Sequence, residues 1–211
     1  MGAPDDDVLT EAGLQARGQG RVLLIACGAL AREILALKHM NGWDHMDLQC
    51  LPAKLHLYPD QIVEAVDKAV SKHRDGYQDV FIVYADCGTG GLLEKRCAEL
   101  GVRMIPGPHC YSFFEGNEAF AARAETEIDA FYLTDFLVRQ FDAFFWKPMG
   151  LDRHPDLREM MFGNYRKMVY LAQTEDADLR RKAEEVAERM GLEYEYRPTG
   201  YGDLATVLAA L

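Results

Sequence analysis

Arg21-Val-Leu-Leu-Ile-Ala26, then Cys27-Gly28, then Ala29 to Met40 is the stretch on which the fold turns. Apolar β-formers that end in a tight turn before a segment of helical composition predict strand, turn and helix. The same order returns at Asp79-Val-Phe-Ile-Val-Tyr-Ala85, closed by Asp86-Cys87-Gly88-Thr89-Gly90-Gly91 and followed by Leu92 to Leu100. It returns once more at Lys167-Met-Val-Tyr-Leu-Ala172, Gln173-Thr174 and the charged segment Asp176 to Met190. Each helix stops near Asn41-Gly42, Gly101 or Gly191, as a C-cap requires. A second short strand follows over Met46 to Leu51, Val102 to Ile105 and Leu192 to Tyr196, and each runs into a proline: Pro52, Pro106 or Pro198.

Near-continuous apolar strands alternating with helices predict an α/β fold with a parallel sheet, built from three degenerate βαβ repeats and covered by helices on both faces. Between repeats two and three lies Tyr111 to Arg166, rich in Phe, Tyr and Trp. It is expected as a helical insertion, with helices in Leu133 to Phe145 and Asp156 to Arg166 and with Thr134 or Asp135 as an N-cap.

With 211 residues and 49% hydrophobic side chains, the chain is expected to form a single α/β domain over residues 21–211, stable without staples. Residues 1–20 are acidic and polar and read as a short disordered leader rather than a signal peptide. No apolar run reaches the roughly 18 residues of a membrane span. A formal charge of -11 argues against nucleic acid and anionic membranes as partners, which leaves a small molecule or another protein. Five cysteines without paired spacing read as thiols or ligands in a reducing, cytoplasmic setting.

In a parallel sheet the ligand sits beyond the carboxyl ends of the strands, and the chemistry-bearing residues gather there. Cys27 and Cys87 each close a first strand and precede a glycine at a helix start, where the helix dipole favours thiolate. Pro106-Gly107-Pro108-His109-Cys110 ends the second strand of repeat two, and Pro52-Ala53-Lys54-Leu55-His56 the equivalent strand of repeat one. If these strands are neighbours, three thiols and two imidazoles converge. Ligands that come singly from distant loops suit a site with three protein ligands and one open position. That points to Cys27, Cys87 and Cys110 holding a [4Fe-4S] cluster or zinc, with His109 as acid-base group or alternate ligand. Cys50, inside a strand, and Cys97, inside a helix, read as packing residues.

Gly88, Thr89 and Gly90 lie in a turn whose N–H groups suit a phosphate or carboxylate, though without P-loop or dinucleotide spacing. A tight turn that needs glycine is the equal alternative. Thr199, Gly200 and Tyr201 form a second glycine turn at the same strand-end level. Tyr111 and Glu115 follow Cys110 closely, Glu115 as a candidate base, and Arg153 and His154 are candidates for an anionic ligand.

The strings ACGALAREI (26–34), DCGTGGLL (86–93), PGPHCYSFFEG (106–116), YLTDFLVRQFD (132–142), GLDRHPDLREMMFGNYRKMVYLAQT (150–174) and RPTGYGDL (197–204) resemble the DUF1638 family of uncharacterised proteins. The resemblance runs over nearly the whole chain after residue 20 and implies a link to corrinoid-dependent one-carbon metabolism. At fold level the three βαβ units are also similar to quinolinate synthase, whose pseudo-threefold domains each give one cysteine to a [4Fe-4S] cluster. Gln173 stands where that analogy wants a thiol, so Cys110 supplies the third.

Three functions follow as expectations. The first is a metal-dependent enzyme acting on a small anionic metabolite. The second is a metal-free enzyme with Cys87 or Cys110 as thiolate nucleophile and His109 as base. The third is a non-catalytic partner of a corrinoid methyltransferase system, or a homo-oligomer, docking through the aromatic stretch Phe113 to Trp146.

Overall fold

The computed structural model describes residues 3–211. The chain divides into two compact units, one running to Ser112 and including Leu204–Leu211, the other Phe113–Asp203. Each unit is a mixed α/β assembly with its own parallel sheet, so the strands expected in one sheet lie in two.

In the first unit the helices are α1 (Asp6–Glu11), α2 (Ala31–Asn41), α3 (Pro59–His73) and α4 (Leu92–Leu100). The strands are β1 (Val22–Cys27), β2 (Met46–Leu51), β3 (Asp79–Val83) and β4 (Arg103–Met104), in the order β2-β1-β3-β4. All pairs are parallel, with Ala26 opposite Cys50 on one side and Val83 on the other. Every residue of β1 and β2 is buried, as expected of strands covered on both faces. Gly42 and Gly101 end α2 and α4 in the left-handed conformation, where a side chain would be strained.

Two elements depart from the sequence reading. Part of the expected disordered leader is helix α1: Asp5 caps it by accepting from the Asp7 and Val8 N–H groups, and Leu9 is fully buried. Arg32 pairs with Asp6 at 2.8 Å, and Leu14 forms an antiparallel bridge with Cys50. One buried leucine and a good cap outweigh the acidic composition of this stretch. Met1 and Gly2, the start of that leader, lie outside the described residues. Gly28, straight after Cys27, is fixed by this docking, since a Cβ there would stand 2.4 Å from the Leu9 carbonyl oxygen. The second departure is α3, to which the sequence reading assigned no element. It starts on Pro59, whose fixed φ suits the first helical turn, and buries Ile62, Val66, Ala69 and Val70 at helical spacing.

The second unit contains β5 (Ala130–Leu133), β6 (Lys167–Ala172) and β7 (Glu193–Pro198), parallel and in that order. Helix α5 (Ser112–Glu115) spans the boundary between the units; α6 (Asn117–Arg123), α7 (Asp135–Arg139), α8 (Leu157–Phe162) and α9 (Ala177–Met190) follow, and α10 (Gly202–Leu208) closes the chain. The expected helical insertion therefore contains a strand, β5. Thr134 is the N-cap of α7, its hydroxyl accepting from the Leu137 N–H, but the helix expected to run on to Phe145 ends at Arg139 and gives way to a wider π turn over Phe141–Trp146. The helix expected over Asp156 to Arg166 is shorter, Leu157–Phe162.

The aromatic stretch proposed as a docking face is core instead: Phe113, Phe114, Phe136, Phe141, Phe144 and Trp146 are all buried. Phe131 meets Phe145 at 5.0 Å and Tyr165 at 5.8 Å between ring centroids. Burying such rings stabilises the unit by far more than exposing them to an intermittent partner would.

One ion network sits on the second sheet. Glu127 accepts from Arg197 at 2.8 Å, Lys167 at 3.0 Å and the Tyr132 hydroxyl at 2.6 Å. Burial opposes ionisation of Glu127, but these three donors prevail and hold its carboxyl down at about 2. A carboxyl depressed in the folded state contributes stability above its unfolded value near 4.3, and that contribution is lost as pH falls toward 2. The thermal midpoint should therefore fall between about pH 5 and pH 2, and Glu127→Gln should lower it at neutral pH while flattening that acid limb. Circular dichroism melts across this range provide the check, and an unchanged limb in the variant would contradict the assignment.

Candidate functional site

Three backbone contacts bring distant thiols together in the first unit. The Ile105 N–H donates to Ile82 O at 3.0 Å, the Asp86 N–H to Gly107 O at 2.9 Å, and the Cys87 N–H to Pro108 O at 3.1 Å. The pairing of β3 with β4 is thereby carried past the strand ends, and Cys110 is delivered to Cys87. Their sulfurs are 3.3 Å apart, and both cysteines are free thiols.

Cys87 is held under strain. Among the described residues it is the one non-glycine with positive φ, at 47°. A side chain in that region costs about 1–3 kcal/mol and persists where the surroundings impose it. The turn that imposes it is self-contained. The Asp86 carboxylate accepts from Thr89 Oγ1 at 2.7 Å, from the Gly90 N–H at 3.1 Å and from the Gly91 N–H at 2.7 Å. These bonds keep Asp86 below the usual carboxylate range. The Gly90 and Gly91 N–H groups of the expected anion cradle thus already serve Asp86, and the glycine turn acts to aim Cys87.

The electrostatics separate the thiols. The Cys87 thiol is lowered to about 5, chiefly by the hydrogen bond from Cys110, against burial, and with help from a hydrogen bond and the charge of His56. Cys110 moves the opposite way, pushed up by its bond to Cys87 and by burial. The contact therefore drives the two thiols apart, Cys87 toward the thiolate and Cys110 toward the protonated form. Cys27 closes β1 behind them, and burial raises it to about 12. Tyr84 is almost fully buried, and its hydroxyl is raised by burial first and then by the charges of Cys27, Cys110, Cys87 and Cys50. Its hydroxyl makes no hydrogen bond of full geometry, although its proximity to Cys27 partly offsets the effect of burial there.

Two imidazoles flank the pair. His56, exposed in the turn after β2, contributes to lowering Cys87 through a hydrogen bond and its charge. His109, expected as the acid-base group, stacks on Tyr111 with centroids 4.8 Å apart, and burial lowers its pKa, so at neutral pH it is the uncharged imidazole. A cleft of about 480 Å³ opens beside the turn, lined by Pro59, Gly88, Thr89, Leu92, Lys95 and Arg96 among others.

The three thiols expected as metal ligands do assemble, but as a hydrogen-bonded pair with a third thiol behind it. Zinc with ligand bonds of about 2.3 Å spreads its sulfurs to roughly 3.8 Å. Here the Cys87 and Cys110 sulfurs are closer than that. Among the described residues no group of three or more His, Cys, Asp or Glu side chains is arranged to hold a metal ion. As the thiols stand, the Cys87 and Cys110 sulfurs lie about 0.5 Å closer than a shared zinc ion would hold them.

The remaining candidates lie in the second unit. Glu115, named as a base, accepts from Arg197 at 2.8 Å and also pairs with Arg123. The Thr199 and Gly200 N–H groups donate to Ala172 O at 2.9 and 3.2 Å, which folds the second glycine turn onto the end of β6. Tyr201 follows in the same turn, half-buried. Arg153 and His154 are exposed, and Arg153 stands 3.8 Å from Asp152. Cys50 and Cys97 pack as read, the latter 3.9 Å from the Met104 sulfur. His56 was visible in sequence only as one of two convergent imidazoles. Tyr84 gave no signal, because a tyrosine at a strand end reads as core.

A family model described as a protein of unknown function (DUF1638) matches residues 50–208. That span contains His56, Tyr84, Cys87, His109 and Cys110, and leaves out Cys27. No curated protein and no solved structure matches the chain. No helix among the described residues is long and apolar enough to cross a membrane.

Proposed function

The chain belongs to the DUF1638 family, and from the site it carries we propose that it is a metal-free thiolate enzyme acting on a small electrophilic metabolite. The observation that supports this reading is Cys87, held in a left-handed turn with its sulfur 3.3 Å from that of Cys110. Strain, a charge-assisted bond and an adjacent imidazole are what an activated nucleophile requires. Cys87 attacks and forms a covalent adduct, Cys110 keeps it ionised beforehand, and His56 assists through its hydrogen bond. His109, uncharged at neutral pH, is available to take a proton from the molecule that later releases the adduct. The cleft beside Gly88 is the natural entrance for the substrate. We read β1–α2–β2, β3–α4–β4 and β6–α9–β7 as degenerate copies of one βαβ unit, and the site as the product of the first two.

At pH 6 iodoacetamide should modify one thiol of the folded protein quickly, and peptide mapping should place it on Cys87. The other thiols are raised, so their thiolate fractions are far smaller. A thiol raised to about 11, as Cys97 is, has a thiolate fraction about 10⁵-fold lower at pH 6, of which its greater nucleophilicity recovers roughly 10²·⁷. The net preference is on the order of 100-fold. Uniform slow labelling would sink the proposal, and elemental analysis finding stoichiometric zinc or iron bound through Cys87 would replace it with a metal centre.

A further inference from the structure

The geometry points to a second activity in the same pair: Cys87 and Cys110 form a dithiol couple that reduces a small disulfide. This rests on Cys87 being the reactive thiolate, and adds a role for Cys110 beyond hydrogen bonding. The sulfurs are 3.3 Å apart, and a disulfide needs about 2.05 Å, so roughly 1.3 Å of closure is required. That is within the reach of side-chain rotation. The backbone needs little movement, because the Cys87 N–H is already bonded to Pro108 O two residues before Cys110.

The electrons and atoms balance without a cofactor. Cys87 Sγ attacks one sulfur of the incoming disulfide, whose S–S bond breaks to release one thiolate, protonated by solvent. A mixed disulfide is left on Cys87. Cys110 then gives its proton to solvent and attacks Cys87 Sγ, and the second thiolate leaves. The pair has lost two electrons and the one proton it held on Cys110. The two released thiolates take up two protons, one replacing that of Cys110 and one drawn from solvent, so the small disulfide has gained two electrons and two protons. The order of events is built into the pair. Cys110 is held protonated mainly by its bond to the Cys87 thiolate, and that hold ends when Cys87 becomes a neutral mixed disulfide. Cys27, buried and raised to about 12, is a poor competitor for the exchange.

Reduced wild-type protein at pH 6 would be mixed with the neutral chromogenic disulfide dithiodipyridine and followed by absorbance and intact mass. The expected result is a fast release of two thiopyridones per chain, a mass loss of two hydrogens, no retained adduct, and a Cys87–Cys110 disulfide on mapping. Cys110→Ser should release one thiopyridone and keep one adduct, on Cys87. A wild-type protein that keeps its adduct after a single fast release would overturn the couple while leaving the nucleophile reading intact. No fast release at all would overturn both, and a disulfide mapped to Cys27 would overturn the role of Cys110.

Discussion

Cys87→Ser should remove the fast-labelling thiol at pH 6 altogether, and Cys110→Ala should keep it while moving its acid limb upward by about 1–2 pH units. The argument for the second shift is energetic. A hydrogen bond to a charged group contributes about 1.5–3 kcal/mol, and each pKa unit is 1.36 kcal/mol, so losing the Cys110 donor moves Cys87 by that range. His56→Ala should move the limb in the same direction by less, because the bond from His56 ranks behind the one from Cys110. A folded depression has a defined sign: labelling stays fast above the shifted midpoint and slows only below it. Iodoacetamide rates between about pH 4 and pH 9, with mass mapping, provide the measurement. A limb that stays in place in Cys110→Ala would show that the sulfur contact does not activate Cys87. Circular dichroism of each variant separates this outcome from unfolding.

Asp135→Ala should lower stability by about 3 kcal/mol or more, the largest effect expected outside the thiol site. Asp135 is 1% exposed and caps the end of the second sheet rather than facing solvent. Its carboxylate accepts from the Tyr170 hydroxyl at 2.8 Å, the Gln173 N–H at 3.0 Å, the Thr174 N–H at 3.1 Å and Thr174 Oγ1 at 2.6 Å. Gln173 returns a bond, its Oε1 accepting from the Asp135 N–H at 2.8 Å. Alanine leaves the buried Tyr170 hydroxyl and Gln173 N–H without acceptors, at about 1–3 kcal/mol each. For a chain of this size that corresponds to a drop on the order of 10 °C in the thermal midpoint. Asp135→Asn, which keeps one oxygen, should fall between the two. A drop of less than about 2 °C in Asp135→Ala would show that water replaces the carboxylate and that this cap is not structural. The same network explains Gln173: where a third cysteine was sought by analogy, an amide ties β6 to α7.

What the sequence determined by itself is local. Near-continuous apolar runs, glycine stops at Gly42, Gly101 and Gly191, and the prolines after the second strands specify β1 to β4 and β6 to β7 with their helices, because strand, helix and cap preferences act over a few residues. The Thr134 cap was legible for the same reason. Composition concealed α1, whose burial of Leu9 is a tertiary matter, and β5, whose four residues are too few to show a period. Only the tertiary structure decided that the strands form two sheets and that the aromatic stretch is core, since burial depends on what lies opposite. The site shows the same division. Sequence placed Cys27, Cys87 and Cys110 at strand ends. It did not show that Cys87 and Cys110 touch, because that contact depends on the β3–β4 pairing continuing through Gly107 and Pro108. Nor did it show that Asp86 claims N–H groups offered to a ligand, or that His56 contributes to lowering Cys87. Residue identity supplies the acids, bases and thiols, but their protonation depends on distances of a few ångströms and on burial, and both are set when remote segments pack.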